Sequence, residues 1–306
     1  MKPIIVAVIV TYFPNRSILD AQLTTLLPQV THAVIVDNGS SEAHLLWLSE
    51  LCQPQEKLTL IPLTQNFGIA TAQNDGIIWA KEVGANFVLL MDQDSIPARD
   101  MVDLLLVAHQ KITNNNVNVA AIGPQFIDVN SGRISKHVKF GWLSVSRIDC
   151  DDAPYLAVDF LISSGSLISI AALDAIGDMD ASLFIDHVDT EWVLRAKSKG
   201  WLSFGHCKAR MYHSLGEHRI RFWLGRWRDI PIHKPFRYYY IFRNSIILHR
   251  RDYMGIHWKW VDVIRLLQII VFMGLIPNER KSKIKMIWRG IKDGLRGVTG
   301  KMPDVN

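Results

Sequence analysis

Cysteine is scarce: three in 306 residues, Cys52, Cys150 and Cys207, too far apart for any metal-ligand spacing. That scarcity argues against a disulfide scaffold or a zinc site and for a reducing compartment, so the cytoplasm is the expected location. Long apolar runs are missing too. The stretch from Leu266 to Ile276 is interrupted by Gln268 and is too short to span a bilayer. The apolar opening from Ile4 to Val10 is short, follows a single Lys and precedes no small-residue cleavage site, so it reads as a buried strand rather than a secretory leader. No Gly-x-Gly-x-x-Gly follows that strand, and Gly-x-x-x-x-Gly-Lys-Ser/Thr occurs nowhere. A dinucleotide Rossmann site and a P-loop are both disfavoured.

What remains is ordinary globular composition, 49% hydrophobic and 21% charged, enough for one large domain or a domain plus an extension. The net charge of +5 is uneven: from Arg250 onward there are 12 Lys or Arg against 5 acids. The same region carries Trp258, Trp260 and Trp288 and reads as an interfacial surface facing a membrane leaflet. The other reading is ordinary helices packed on the catalytic body or on a second subunit, which leaves a homo-oligomer open. The basic charge sits on a hydrophobic tail without a recognised binding motif, so no nucleic-acid partner is expected.

The first half alternates β-type runs with helical apolar spacing, the pattern of a mostly parallel sheet with helices on its faces. Strands are expected at 4–10, 33–37, 58–62, 86–91 and 119–123, and helices at 16–28, 41–51, 68–83 and 98–113. Residues 124–160 read as an irregular connection. Polar signatures follow four strands: Thr11-Tyr12, Asp37-Asn38-Gly39-Ser40, Asn66-Phe67-Gly68 and Asp92-Gln93-Asp94. In an open parallel sheet the ligand crevice lies outside these carboxyl ends, so a nucleotide-type site is expected there. Asp92 and Asp94 offer hard oxygen ligands, and Mg²⁺ or Mn²⁺ commonly binds through one or two carboxylates plus the ligand's phosphates. Farther on, Asp186, Asp189 and Glu191 cluster at a helix start that Asp189 or Thr190 would cap.

Together these residues resemble the inverting family-two glycosyltransferases of the GT-A fold, most closely bacterial rhamnosyltransferases. The likeness spans roughly residues 3–250 and rests on Val8 to Tyr12, Val36 to Ser40, Asn66 to Ala70, Met91 to Asp94, Ser164-Gly165-Ser166, Asp189 to Trp192 with Arg195, and His213. The rhamnosyltransferase branch rests on Phe184 to Arg195, His213 to Glu217 and Pro235 to Asn244. The resemblance implies a catalytic domain over 1–250, with its nucleotide half at about 1–125 and its acceptor half at about 126–250. A basic helical extension would follow over 251–306. It assigns nucleotide-sugar binding to Thr11, Tyr12, Asp37, Asn66, Gly68 and Asp92, and a metal, Mg²⁺ or Mn²⁺, to Asp94 with His213. Acceptor binding falls to Ser164, Gly165 and Trp192. Asp189 becomes the catalytic base, six residues before Arg195. The family's preceding Glu is Val188 here, which leaves Asp186 or Glu191 as the second carboxylate.

The implied reaction moves L-rhamnose from dTDP-L-rhamnose to a sugar hydroxyl of a lipid-linked or cell-wall glycan, at the inner face of the cell membrane. Arg219, Arg221 and Arg243 are available to assist. UDP-sugar donors remain open, because Asp37 does not discriminate uracil from thymine, and so does a non-catalytic sugar-nucleotide-binding scaffold.

Overall fold

The computed structural model describes residues 2–129, 132–142, 144–150, 153–213, 219–223, 227–275 and 279–303. The side chains of Arg219 and Arg221, and Ser214 to Glu217, lie outside what is described. In chain order the first elements are β1 (Ile5–Thr11), α1 (Arg16–Leu26), β2 (His32–Asp37), α2 (Glu42–Cys52), β3 (Leu58–Pro62), α3 (Ile69–Glu82), β4 (Phe87–Asp92), β5 (Ser95–Pro97) and α4 (Met101–Thr113). Then come β6 (Val119–Asp128), β7 (His137–Phe140), β8 (Val145–Ile148), β9 (Tyr155–Val158), β10 (Leu167–Ser169), α5 (Ile170–Ile176), α6 (Val188–Ser198) and β11 (Leu202–His213). The chain ends in β12 (Arg219–Trp223), β13 (Trp227–Pro231), α7 (Pro235–His249), α8 (Ile256–Leu275) and α9 (Arg280–Arg296).

Period-two alternation explains the sheet. On β1, Val6, Val8 and Val10 enter one apolar cluster with α3, while Ile5, Ala7 and Ile9 enter the other with α1 and α4. Both faces are covered, so β1 is buried throughout and every residue but Ala7 is β-branched. Gly76 lets α3 approach closely, since a Cβ there would fall 2.3 Å from Val8.

The main sheet runs β3-β2-β1-β4-β10-β6-β11-β5, with β9 also pairing β11. The expected parallel core is present as β3-β2-β1-β4. Beyond it, β10 lies antiparallel between β4 and β6, and β11 runs parallel to β6. Residues 124–160 are more ordered than local pattern implies: β6 runs on to Asp128 because β11 accompanies it, and β7 and β8 form a hairpin. A partner some eighty residues away leaves no local signature. The separateness expected of the cysteines also fails. Folding of the β7–β8 hairpin toward β11 brings Cys150 and Cys207 to a Cα separation of 5.5 Å, joined as a disulfide, while Cys52 stays free and buried.

The C-terminal helices belong to the body. α9 lies along α7, where Gly290 and Gly294 face the Tyr239 and Arg243 carbonyls at 2.4 and 2.9 Å from a would-be Cβ, and Tyr239 donates to Asp293 at 3.0 Å. Among the described residues no helix is long and apolar enough to cross a membrane. One face of α8 presents Ile256, Trp260, Leu267 and Val271 exposed.

Candidate active site

The carboxyl ends of β1, β2 and β4 converge with the loop that leads into α6. β1 and β2 end in register, Thr11 opposite Asp37. Thr11 Oγ1 donates to Asp37 Oδ2 at 2.9 Å, and Ser40 donates through its backbone N–H to Oδ1 at 2.8 Å and through Oγ to Oδ2 at 2.7 Å. Asp37 therefore has no exposed surface and holds this corner from beneath. The open surface belongs to Tyr12 and Phe13, edge-to-face at 4.7 Å and about half exposed. In the next corner Asn38 donates to Asn66 Oδ1 at 3.3 Å, and that oxygen also accepts the Gly68 N–H at 3.0 Å. Gly68 has φ +94, and a Cβ there would lie 2.5 Å from the Phe184 carbonyl, so glycine lets the β3–α3 turn meet the loop that leads into α6.

A relay of polar groups fixes the turn after β4. The Asp92 N–H donates to Ser164 Oγ at 3.0 Å, Ser164 Oγ donates to Ser95 Oγ at 2.8 Å, and Ser95 Oγ lies 2.9 Å from His213 Nδ1. Antiparallel pairing of β5 with β11 sets Ser95 opposite His213 and brings His213 Nδ1 to 3.5 Å from Asp94 Oδ1. Gln22 clamps the same turn through the Asp92 and Ser95 carbonyls at 2.7 and 2.6 Å. Sequence reasoning passed over Gln22, although an amide among the apolar Leu19, Leu23 and Leu26 of α1 was a legible signal.

Asp189, at the start of α6, has its Oδ2 oriented by the Ser163 N–H at 3.1 Å. Burial raises its pKa, and the backbone N–H donors offset only part of that. Asp92 is pushed up to about 7, first by burial and then by the charges of Asp94 and Asp189. The two acids of Asp-x-Asp and the Asp189 carboxylate thus share one field. A carboxylate and an imidazole on a crevice crowded with negative charge suit a hard divalent cation, so Asp94 and His213 fit Mg²⁺ or Mn²⁺.

The loop before α6 is strained. Phe184, Asp186 and His187 have φ of 65, 64 and 65°, unusual for residues with side chains. Asn244 on α7 holds it by donating to the carbonyls of Leu183, Ile185 and Asp186 at 2.9, 2.8 and 3.0 Å. Buried Arg243 donates to Leu183 O and Gly300 O, which takes it away from the crevice. The helix is capped by His187 rather than by Asp189 or Thr190, without a side-chain capping bond. Asp189 is already inside the first turn, its carboxylate taken by Ser163.

Several candidates occupy other positions. Glu191 is fully buried, bound by Arg195 at 2.8 and 3.1 Å and by the Tyr253 hydroxyl at 2.5 Å, with Arg251 3.3 Å away. Asp186 pairs with Arg237 at 2.6 Å. Trp192 is 2% exposed and donates its indole N–H to the Gly177 carbonyl at 2.8 Å, so its ring packs in the core and offers no stacking face. Ser164 and Gly165 lie beneath the β4 turn, Gly165 donating to the Leu90 carbonyl at 2.7 Å.

The family model for glycosyl transferase family 2 matches residues 7–177. The chain is 34% identical, over 98% of its own length and 98% of the relative's, to the dTDP-rhamnosyl transferase RfbF of Shigella flexneri. Among solved structures it resembles S. aureus TarS 1-349 in complex with UDP-GlcNAc, at a TM-score of 0.57 and 14% identity, covering 96% of this chain and 81% of that one. It also resembles GalNAc-T7 with UDP, GalNAc and Mn²⁺, at a TM-score of 0.58 and 12% identity, covering 97% of this chain and 56% of that longer one.

Proposed function

The chain belongs to glycosyltransferase family 2, and from that premise we propose that it transfers L-rhamnose from dTDP-L-rhamnose to a sugar hydroxyl of a glycan acceptor, with inversion by a single displacement. The observation that carries the donor is the full-length likeness to a dTDP-rhamnosyl transferase. A sugar hydroxyl is a weak nucleophile at neutral pH, so its proton must leave as the bond forms. Asp189 is the base, because its carboxyl, oriented by Ser163, lies close enough to Asp92 for their charges to interact and has a raised proton affinity. Tyr12 and Phe13 supply the open apolar surface for the nucleoside, with Asp37, Asn38 and Asn66 bracing the two turns behind it. Asp94 and His213 would hold Mg²⁺ or Mn²⁺, which when bound neutralises charge on the diphosphate.

The acceptor is a lipid-linked or cell-wall glycan, and the exposed apolar face of α8 with the basic C-terminal region makes peripheral contact with the membrane. The test is thermal stabilisation and donor turnover across nucleotide sugars with Mg²⁺ or Mn²⁺. Response to dTDP-L-rhamnose above UDP-GlcNAc, UDP-galactose and UDP-galactofuranose is expected. Preference for a UDP-sugar would overturn the donor, and binding without transfer to any acceptor would favour a scaffold.

A further inference from the structure

Outside the crevice, one group of three metal-ligating side chains draws together among the described residues: His137, Cys150 and Cys207, whose ligand atoms all lie within 4.8 Å of one another. They come from the start of β7, the segment after β8 and the part of β11 where the register with β6 shifts between Gly205 and Arg210. We propose that in the reduced protein these three side chains bind one zinc-class divalent cation.

His137 supplies the observation that the disulfide alone leaves unexplained. It is 6% exposed, and its Nε2 has no hydrogen-bond partner. Leaving a buried polar atom unpaired forfeits its hydration without compensation, so such an atom calls for a ligand. The ring also has a seat cleared for it. A Cβ on Gly205 would fall 2.2 Å from His137 Nδ1, so the close approach of β11 to the imidazole requires glycine there. Two thiolates and an imidazole form a soft, nitrogen-containing donor set that favours zinc over magnesium, with the fourth tetrahedral position left to a small ligand such as water. Oxygen-rich Asp94 with His213 has the opposite preference, so donor chemistry sorts the two sites.

A small dithiol reductant delivers two electrons and two protons, the Cys150–Cys207 sulfur bond breaks, and two thiols form. The cation then displaces both thiol protons and bonds to the two sulfurs without further redox change. Bonds of about 2.3 Å to sulfur and about 2.0–2.1 Å to nitrogen place tetrahedral ligand atoms about 3.5–3.8 Å apart. The His137 ligand atom already lies within 4.8 Å of both sulfurs, so the main change on metal uptake is that the two sulfurs part once their bond is broken. Disulfide and cation exclude each other, and each fastens the hairpin to β11.

Cobalt(II) is the probe, added to the full chain after chelator treatment. Dithiol-reduced wild type is expected to take up one cobalt per chain with thiolate-to-metal charge-transfer absorption, which a site made of Asp94 and His213 cannot produce. The disulfide form should lack that band. Cys150→Ser and His137→Ala should each weaken binding by about 100-fold or more, given that losing even an outer-shell partner costs 10–100-fold. Absence of the band in reduced wild type would overturn the proposal, and so would unchanged cobalt affinity in His137→Ala. Comparison of the reduced and disulfide forms of wild type decides the matter if a variant fails to fold.

Discussion

Replacing Asp92 by Asn should stabilise the metal-free protein, and the gain should grow with pH. The Asp92 carboxyl moves from 3.8 to about 7 in the folded protein, through burial and the charges of Asp94 and Asp189. Between about pH 4 and pH 7 the folded state therefore retains a proton that the unfolded chain has released. By linkage, folding stability falls as pH rises through that window, and the loss is complete above about pH 7. Three pH units correspond to about 4 kcal/mol, and screening at a partly open crevice reduces this to about 2 kcal/mol. For a chain of this size that is about 4 °C in melting temperature. Asn keeps the backbone contacts to Ser164 and Gln22 but carries no charge. Thermal melts in chelator at pH 4.5 and pH 8 should show a small difference at the lower value and the variant about 4 °C ahead at the higher. An equal difference at both pH values, or a destabilised variant at pH 8, would falsify the shared-field picture of the three carboxylates.

Asp189→Asn should lower kcat by about 10²–10⁴ while donor affinity stays within twofold, and wild-type turnover would remove Asp189 as the base. Because its pKa is raised, kcat/KM in the wild type should fall on the acid side above the usual carboxylate range, a limb visible in a pH–rate profile. Asp94→Ala should abolish divalent-dependent donor binding by calorimetry; full activity in excess chelator would refute the metal assignment. Glu191→Gln should cost about 3 kcal/mol by urea unfolding, because it leaves Arg195 without its buried carboxylate while Arg251 keeps Asp180, yet spare donor affinity. Vesicles rich in anionic lipid should float the full chain, and the triple variant Trp260→Ser, Leu267→Ser, Val271→Ser should remain in the lipid-free fraction; equal flotation would exclude this face.

The parallel first part of the sheet was legible because its information is local. Residues 4–10 and 87–91 declare central strands by unbroken apolar character, and the polar segments Thr11-Tyr12 and Asp92-Gln93-Asp94 mark their carboxyl ends. The pairing of Asp94 with His213 was anticipated only through resemblance, and its physical cause, antiparallel pairing of β5 with β11, joins residues 118 positions apart. Glu191 and Trp192 misled for the opposite reason. Their residue types suit a sugar site, but they occupy positions of α6 that face the core, next to Arg195, Arg251 and the Gly177 carbonyl.

Chain order alone announced a mostly parallel sheet with helices on its faces and the polar signatures at its strand ends, because strand periodicity and strand-end chemistry are local properties, whereas the order β3-β2-β1-β4 came from the pairing itself. Only the tertiary structure decided which carboxylates share a field, how Asn244 holds the strained loop ahead of Asp189, and that His137, Cys150 and Cys207 meet. Each of these depends on long-range strand and helix pairing, and the free energy that enforces it comes from burying faces whose partners lie far away in sequence.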